Sequence, residues 1–245
     1  MTAIDIFKQS LTFYTRLFNK IFWLSVASSI VPLINSAIFG AAQPSGLGLL
    51  VMMLMSMFFS VYMMALVHQF STDQDDSLQS AFTLAVNKVM PVVLTSIVMG
   101  LFVMVAIIPA GLVGGILTAG ISDEVLKNTL MATVIAIPVC MIMYRCFFAV
   151  YCTLVDGLNP IEALKASNQQ IKGNKLAFNG FMVLGALMGV YALVLVLLNL
   201  MIAVNPLILG MFEFALNVFV LPLFTVFIYR LFVVTKQTQK IDEEQ

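Results

Sequence analysis

The sequence predicts an all-α fold, a polytopic bundle of six transmembrane helices, and three observations carry that reading. Residues of the AVILMFWYC set make up 61% of the chain and charged residues 10%, more apolar side chain than one water-soluble core of 245 residues can hide. The apolar residues fall in unbroken runs, without the period-2 alternation of a barrel strand. Backbone amides find no partner in hydrocarbon except one another, so such runs must close their hydrogen bonds internally, as helices do.

A crossing helix needs about 20 apolar residues, and six runs meet that length: residues 21–39, 49–70, 89–108, 131–155, 178–204 and 206–232. Twenty residues precede the first run, which is itself too long for a signal-peptide core, so it is expected to remain as a helix. The third run is expected to continue past Pro109 through "PAGLVGGILTAG" as a kinked extension. Residues 1–245 read as a single integral membrane domain with a polar C-terminal tail at 236–245.

Orientation follows from the basic residues. Six crossings put Lys8, Arg16 and Lys20, then Lys88, then Lys165, Lys172 and Lys175, then Lys236 and Lys240 on one side, with Arg230 at the end of the last span. The opposite side receives Lys127. Positive flanks stay cytoplasmic, so both termini are expected in the cytoplasm. Lys20, Lys88 and Lys175 read as interfacial anchors, and so does Arg145, whose position about 21 Å below the outer surface lets its guanidinium snorkel to the inner headgroups. The formal net charge is zero, which makes no case for a nucleic-acid partner. Membrane lipid is the expected partner, with a second membrane protein or another copy of the chain as further candidates.

An Asn-Lys pair opens the first, third and fifth runs, in "NKIFWLS", "NKVMPVV" and "NKLAFNG". Ahead of the first, Ile4, Phe7, Leu11, Tyr14, Phe18 and Ile21 recur at steps of three and four, which reads as an amphipathic helix in the headgroup layer. Ahead of the second, Asp76 or Ser77 can cap a helix striped by Leu78, Ala81, Phe82, Ala85, Val86 and Val89. Ahead of the third, Asn159 caps, Pro160 takes the first helical position and Gly173 terminates. Asn168 interrupts that stripe, so this helix suits protein as well as lipid. The pattern reads as three copies of an amphipathic helix plus a helical hairpin, at 1–71, 72–156 and 157–235.

Few groups could carry chemistry. Glu213 lies inside the last run, on a stripe with Gly210 and Asn217 that should face the bundle, and Asn199 of the preceding run falls at a similar depth. Asn199, Glu213 and Asn217 are therefore candidates for a ligand site or proton relay, or for a polar clasp between the last two helices. Cys140, Cys146 and Cys152, six residues apart, would face three directions on one helix, against a shared metal. Met53 and Met57 stand one turn apart and could offer thioethers to Cu(I), although packing is the simpler reading in a chain with 17 methionines. His68 is the only histidine. Gly111 with Gly115, and Gly185 with Gly189, have the small-xxx-small spacing of close helix approach. No phosphate loop, zinc-protease element or nucleophile-base set is present, so no enzyme activity, catalytic residue, metal or cofactor is expected.

From "IIPAGLVGGIL" to "YCTLVDGLNPIEALKASNQQIKGNK" the chain resembles the YciC family of uncharacterised bacterial inner-membrane proteins. In that family a Pro-Gly bend within a span is followed by another span and a short cytoplasmic helix; here Ala110 separates Pro109 from Gly111. A related pattern occurs in membrane domains attached to glycerophosphodiester phosphodiesterases, whose soluble catalytic domain has no counterpart here. The resemblance implies an inner-membrane location and several spans, and it transfers no catalytic residue or substrate. The expected function is a scaffold or accessory in envelope upkeep; the rival is a small transporter or channel with a path along the last two helices past Glu213.

Overall fold

The computed structural model describes residues 2–39, 46–72, 77–201 and 206–243, which form helices and no strand. In chain order they are α1 (Ala3–Phe39), α2 (Gly46–Ser71), α3 (Leu78–Thr118), α4 (Glu124–Arg145), α5 (Ala149–Asp156), α6 (Pro160–Ile171), α7 (Lys175–Met201) and α8 (Pro206–Glu243). Five segments are long and apolar enough to cross a membrane: Gly48–Ser71, Leu78–Thr118, Glu124–Asp156, Lys175–Leu198 and Phe214–Gln239. The first expected span belongs to α1, which runs unbroken to Phe39; the side chains of 31–39 lie outside the described residues. The chain divides into one unit of Met1–Met90 with Asn174–Gln245, and a second of Pro91–Gly173.

In the first unit α1 opens on a reciprocal cap. The Thr2 backbone N–H and hydroxyl donate to Asp5 Oδ2 at 2.9 and 2.8 Å, and the Asp5 N–H donates back to Thr2 Oγ1. Those bonds, the backbone one first, hold the Asp5 carboxyl below its usual range. The helix then buries Ile6, Ser10, Tyr14, Leu17 and Ile21, a face displaced from the predicted stripe, of which Ile4 and Leu11 are exposed. What covers this face is α8. The Tyr14 hydroxyl donates to the Phe219 carbonyl at 3.2 Å, Phe18 stacks on Phe219, Phe7 meets Phe227 edge-on, and Arg230 Nη2 donates to Gln9. The expected interfacial helix is thus continuous with the rest of α1 and packed on protein.

These pairs run in opposite order along the two helices, so α1 and α8 are antiparallel. Phe13 meets Phe70 at the end of α2, and His68 Nδ1 lies 2.9 Å from the Tyr229 hydroxyl. A β-carbon at Gly180 of α7 would fall on Leu231 of α8, which is itself fully buried. Gly111, Gly115, Gly185 and Gly189, the glycines with the predicted small-xxx-small spacing, have open space where a side chain would be. Close approach is made instead by Gly180, and in the second unit by Gly114 against Met131.

In the second unit α3 continues past Pro109 to Thr118, as expected of the extension. Over 41 residues it would be about 61 Å long, twice the thickness of the hydrocarbon, so part of it must lie beyond. Asp123 caps α4 by accepting the Val125 and Leu126 N–H groups. At 22 residues, or about 33 Å, α4 alone matches the bilayer and ends on Arg145.

The expected fourth span, 131–155, falls inside the candidate crossing Glu124–Asp156, and within it the helix breaks at 146–148 and restarts as α5. Ser167 of α6 holds the break, donating to the Arg145 carbonyl and accepting the Phe148 N–H, both at 3.0 Å. Phe148, Tyr151, Cys152, Thr153 and Leu154 are buried, α6 is α5's principal neighbour, and Ala163, Leu164 and Ile171 of α6 are buried too. The α6 boundaries follow the prediction: Asn159 Oδ1 accepts the Glu162 N–H, and Gly173 takes φ +77° beyond the last turn. Ser77 caps α3 through the Ser80 N–H, whereas Asp76 lies outside the described residues.

Replacing Ser167 by Ala removes the side-chain acceptor of the buried Phe148 N–H and a donor from the Arg145 carbonyl. The variant should lose roughly 1–3 kcal/mol of stability, read as a lower unfolding midpoint in mild detergent; an unchanged midpoint would contradict this account of the break.

Candidate functional site

Of the three residues predicted on the last two helices, Asn217 has a resolved role. It is half-buried on α8, and its Oδ1 accepts the Tyr191 hydroxyl of α7 at 2.5 Å. A polar clasp between α7 and α8 therefore exists, with Tyr191 as the member that sequence reasoning missed. The signal was available: a phenol inside an apolar run must find a partner for its O–H. The side chains of Asn199 and Glu213 lie outside the described residues, so the predicted pair between them does too.

Asn217 also lines a small cleft of about 70 Å³ with Ser25, Ser28, Ser60 and Thr225. Each of these hydroxyls donates to a carbonyl of its own helix, at Ile21, Ser25, Ser56 and Leu221 respectively. Their donors are thus used locally, within their own helices. The cleft is wide enough for a few waters and too small for an organic solute.

The predicted anchors take different environments. Lys20 is half-buried with its ammonium 5.8 Å from the Phe70 ring centre, Lys88 is half-buried, and Lys175 is exposed. Arg145, within the candidate crossing Glu124–Asp156, is the exposed last residue of α4, beside a cleft of the second unit. The remaining candidates separate. Cys140 is exposed, Cys146 half-buried and Cys152 buried, and because α4 and α5 are distinct helices the single-helix argument about their directions no longer applies. Met53 is 61% exposed. His68 meets Tyr229, as described above.

A second group of cations is arranged by the antiparallel packing of the first unit. The contacts Phe13–Phe70, His68–Tyr229, Gln9–Arg230 and Gly180–Leu231 bring the start of α1, the end of α2, the start of α7 and the end of α8 to one level. That end carries Lys8, Arg16, Lys20, Lys175, Arg230 and Lys236. Arg230 lies 5.5 Å from the Phe13 ring centre and Lys236 5.5 Å from that of Phe232, so apolar rings support the charges at the border of the apolar zone.

Each unit has an apolar surface: Leu200 of the first is 73% exposed and Ile116 of the second 76%. Such a surface on helices of spanning length defines an integral membrane protein. No protein-family model, curated protein or solved structure matches the chain.

The α7–α8 clasp is open to a double-mutant cycle. Tyr191→Phe and Asn217→Ala should each destabilise the protein, with a coupling of about 0.5–1.5 kcal/mol in lipid or detergent. Strictly additive effects would show that the contact contributes nothing.

Proposed function

We propose that this is a non-enzymatic integral protein of the bacterial inner membrane that crosses six times, keeps both termini in the cytoplasm, and serves as a scaffold or accessory in envelope upkeep. The observation that carries this reading is the gathering of Lys8, Arg16, Lys20, Lys175, Arg230 and Lys236 at one end of the first unit, where α1 and α8 meet antiparallel. Antiparallel first and last helices bring the two chain ends to one side, as an even number of crossings requires. By the positive-inside rule that side is the cytoplasm. The resemblance to the YciC family supports the same location, and the three Asn-Lys pairs support three related units.

The basic end is the working surface toward anionic lipid or a membrane partner, at roughly 1 kcal/mol for each cation near the inner leaflet. Replacing Lys8, Arg16 and Lys20 together by Gln should leave insertion intact and reduce the anionic lipid or partner recovered with the protein from membranes. Unchanged recovery would refute the role of this surface.

The hydroxyl-lined cleft around Asn217 favours a second reading, a small transporter or channel in which a proton or cation passes Asn217 with help from Asn199 and Glu213. Glu213→Gln then abolishes cellular function. If Glu213→Gln cells behave as wild type, the relay version fails and the clasp is structural only.

A further inference from the structure

The cleft beside Arg145 has the features of a built site. Met141, Tyr144 and Arg145 of α4, Asn168 and Ile171 of α6, and the Lys172–Gly173 turn line a half-open cleft of about 480 Å³, within the roughly 300–1,000 Å³ of ligand pockets. Its form is set by features already described: the end of α4 at Arg145, the Ser167 bonds that seat α6 against it, and the positive φ of Gly173 that turns the chain at the end of α6. Arg145 and Lys172 are exposed, neither has an ion pair among the described residues, and no lining residue is acidic. The C-terminal ends of α4 and α6 each contribute a partial negative charge of about half a unit. Two full positive charges still outweigh them, so the cleft selects an anion.

The floor says which anion. Met141 lies one turn, about 6 Å, up α4 from Arg145, toward the apolar zone. With Ile171 it gives the cleft an apolar wall next to its two cations. A small hydrated anion would engage the cations and leave that wall wet. An amphiphile whose phosphate adjoins glycerol and acyl carbon covers both. Depth agrees: α4 has the length of one bilayer crossing, so Arg145 stands at headgroup level when Asp123 stands at the opposite surface.

We infer that this cleft binds the headgroup of one anionic glycerophospholipid. The Arg145 guanidinium forks two phosphate oxygens, the Lys172 ammonium supplies the second charge, and the glycerol and first methylenes lie over Met141 and Ile171. The inference rests on the reading of the chain as an inner-membrane protein, and it adds a discrete site to the diffuse attraction of the basic end.

The test uses the full chain, delipidated and returned to nanodiscs of phosphatidylcholine doped with phosphatidylglycerol, with tightly bound lipid counted by native mass spectrometry. Wild type should retain one phosphatidylglycerol per chain. Arg145→Ala with Lys172→Ala should weaken that retention about tenfold or more, whereas Arg145→Lys with Lys172→Arg, which keeps both charges, should retain most of it and controls for folding. The Lys8, Arg16, Lys20 replacement should leave this one lipid in place, so the basic end and the cleft fail independently. Undiminished retention in the double-alanine variant would overturn the inference. So would release of the lipid by low millimolar inorganic phosphate, which would make the cleft a site for the soluble ion.

Discussion

A helix closes its backbone hydrogen bonds on itself and so can stand in hydrocarbon with its apolar side chains turned outward. That condition organises this molecule. Met90, Ile97, Met104 and Ile108 on α3, and Met188, Val196 and Leu200 on α7, face away from the protein, and in water they would drive aggregation. Lipid removes that pressure, but it also removes the hydrophobic incentive for helices to associate. Packing must then come from fit and from a few polar contacts. Gly180 under Leu231, Gly114 under Met131, the Thr95–Thr153 hydroxyl pair at 2.8 Å and the Tyr191–Asn217 clasp are contacts of this kind.

The same condition explains where the charges stand. An uncompensated cation in hydrocarbon is costly, and several of the basic side chains sit at a helix end or lean on a ring at the border. Lys20 over Phe70, Arg230 over Phe13 and Lys236 over Phe232 show the arrangement in the first unit. In the second unit Arg145 stands at the end of α4, and the three-residue break beyond it turns the chain into α5 and α6. This converts an apparent defect of an apolar run into a boundary. The positive end of the protein and the cleft at Arg145 are two consequences of one requirement.

The class of fold was legible because composition and run length report the solvent directly. Local chemistry was legible at α6, where Asn159, Pro160 and Gly173 act within a turn of their own positions. The α4–α5 break was not, since a run apolar for lipid and a run apolar for a protein core look alike; Phe148 to Leu154 belong to the second kind. The residue that decides the matter, Ser167, lies 22 positions beyond Arg145 in sequence. Likewise, the spacing of Gly111 with Gly115 or Gly185 with Gly189 defines a helix face but not which face meets a neighbour. The partner of Asn217 depended on the register of α7 against α8, and that register is set by side-chain fit along the whole contact. The stripe of α1 was displaced for a related reason: α8 supplies aromatic rings that cover a face the sequence assigned to lipid.

The most direct measurement of the central claim is membrane topology. In a background with Cys140, Cys146 and Cys152 replaced, single cysteines at Lys20, Lys175, Lys236 and Asp123 are labelled with an impermeant maleimide on intact and on opened spheroplasts. The account predicts that Lys20, Lys175 and Lys236 react only once the cytoplasm is opened, while Asp123 reacts from outside. Labelling of Lys20 and Lys236 from opposite faces would contradict it, because an odd number of crossings would then separate the two chain ends.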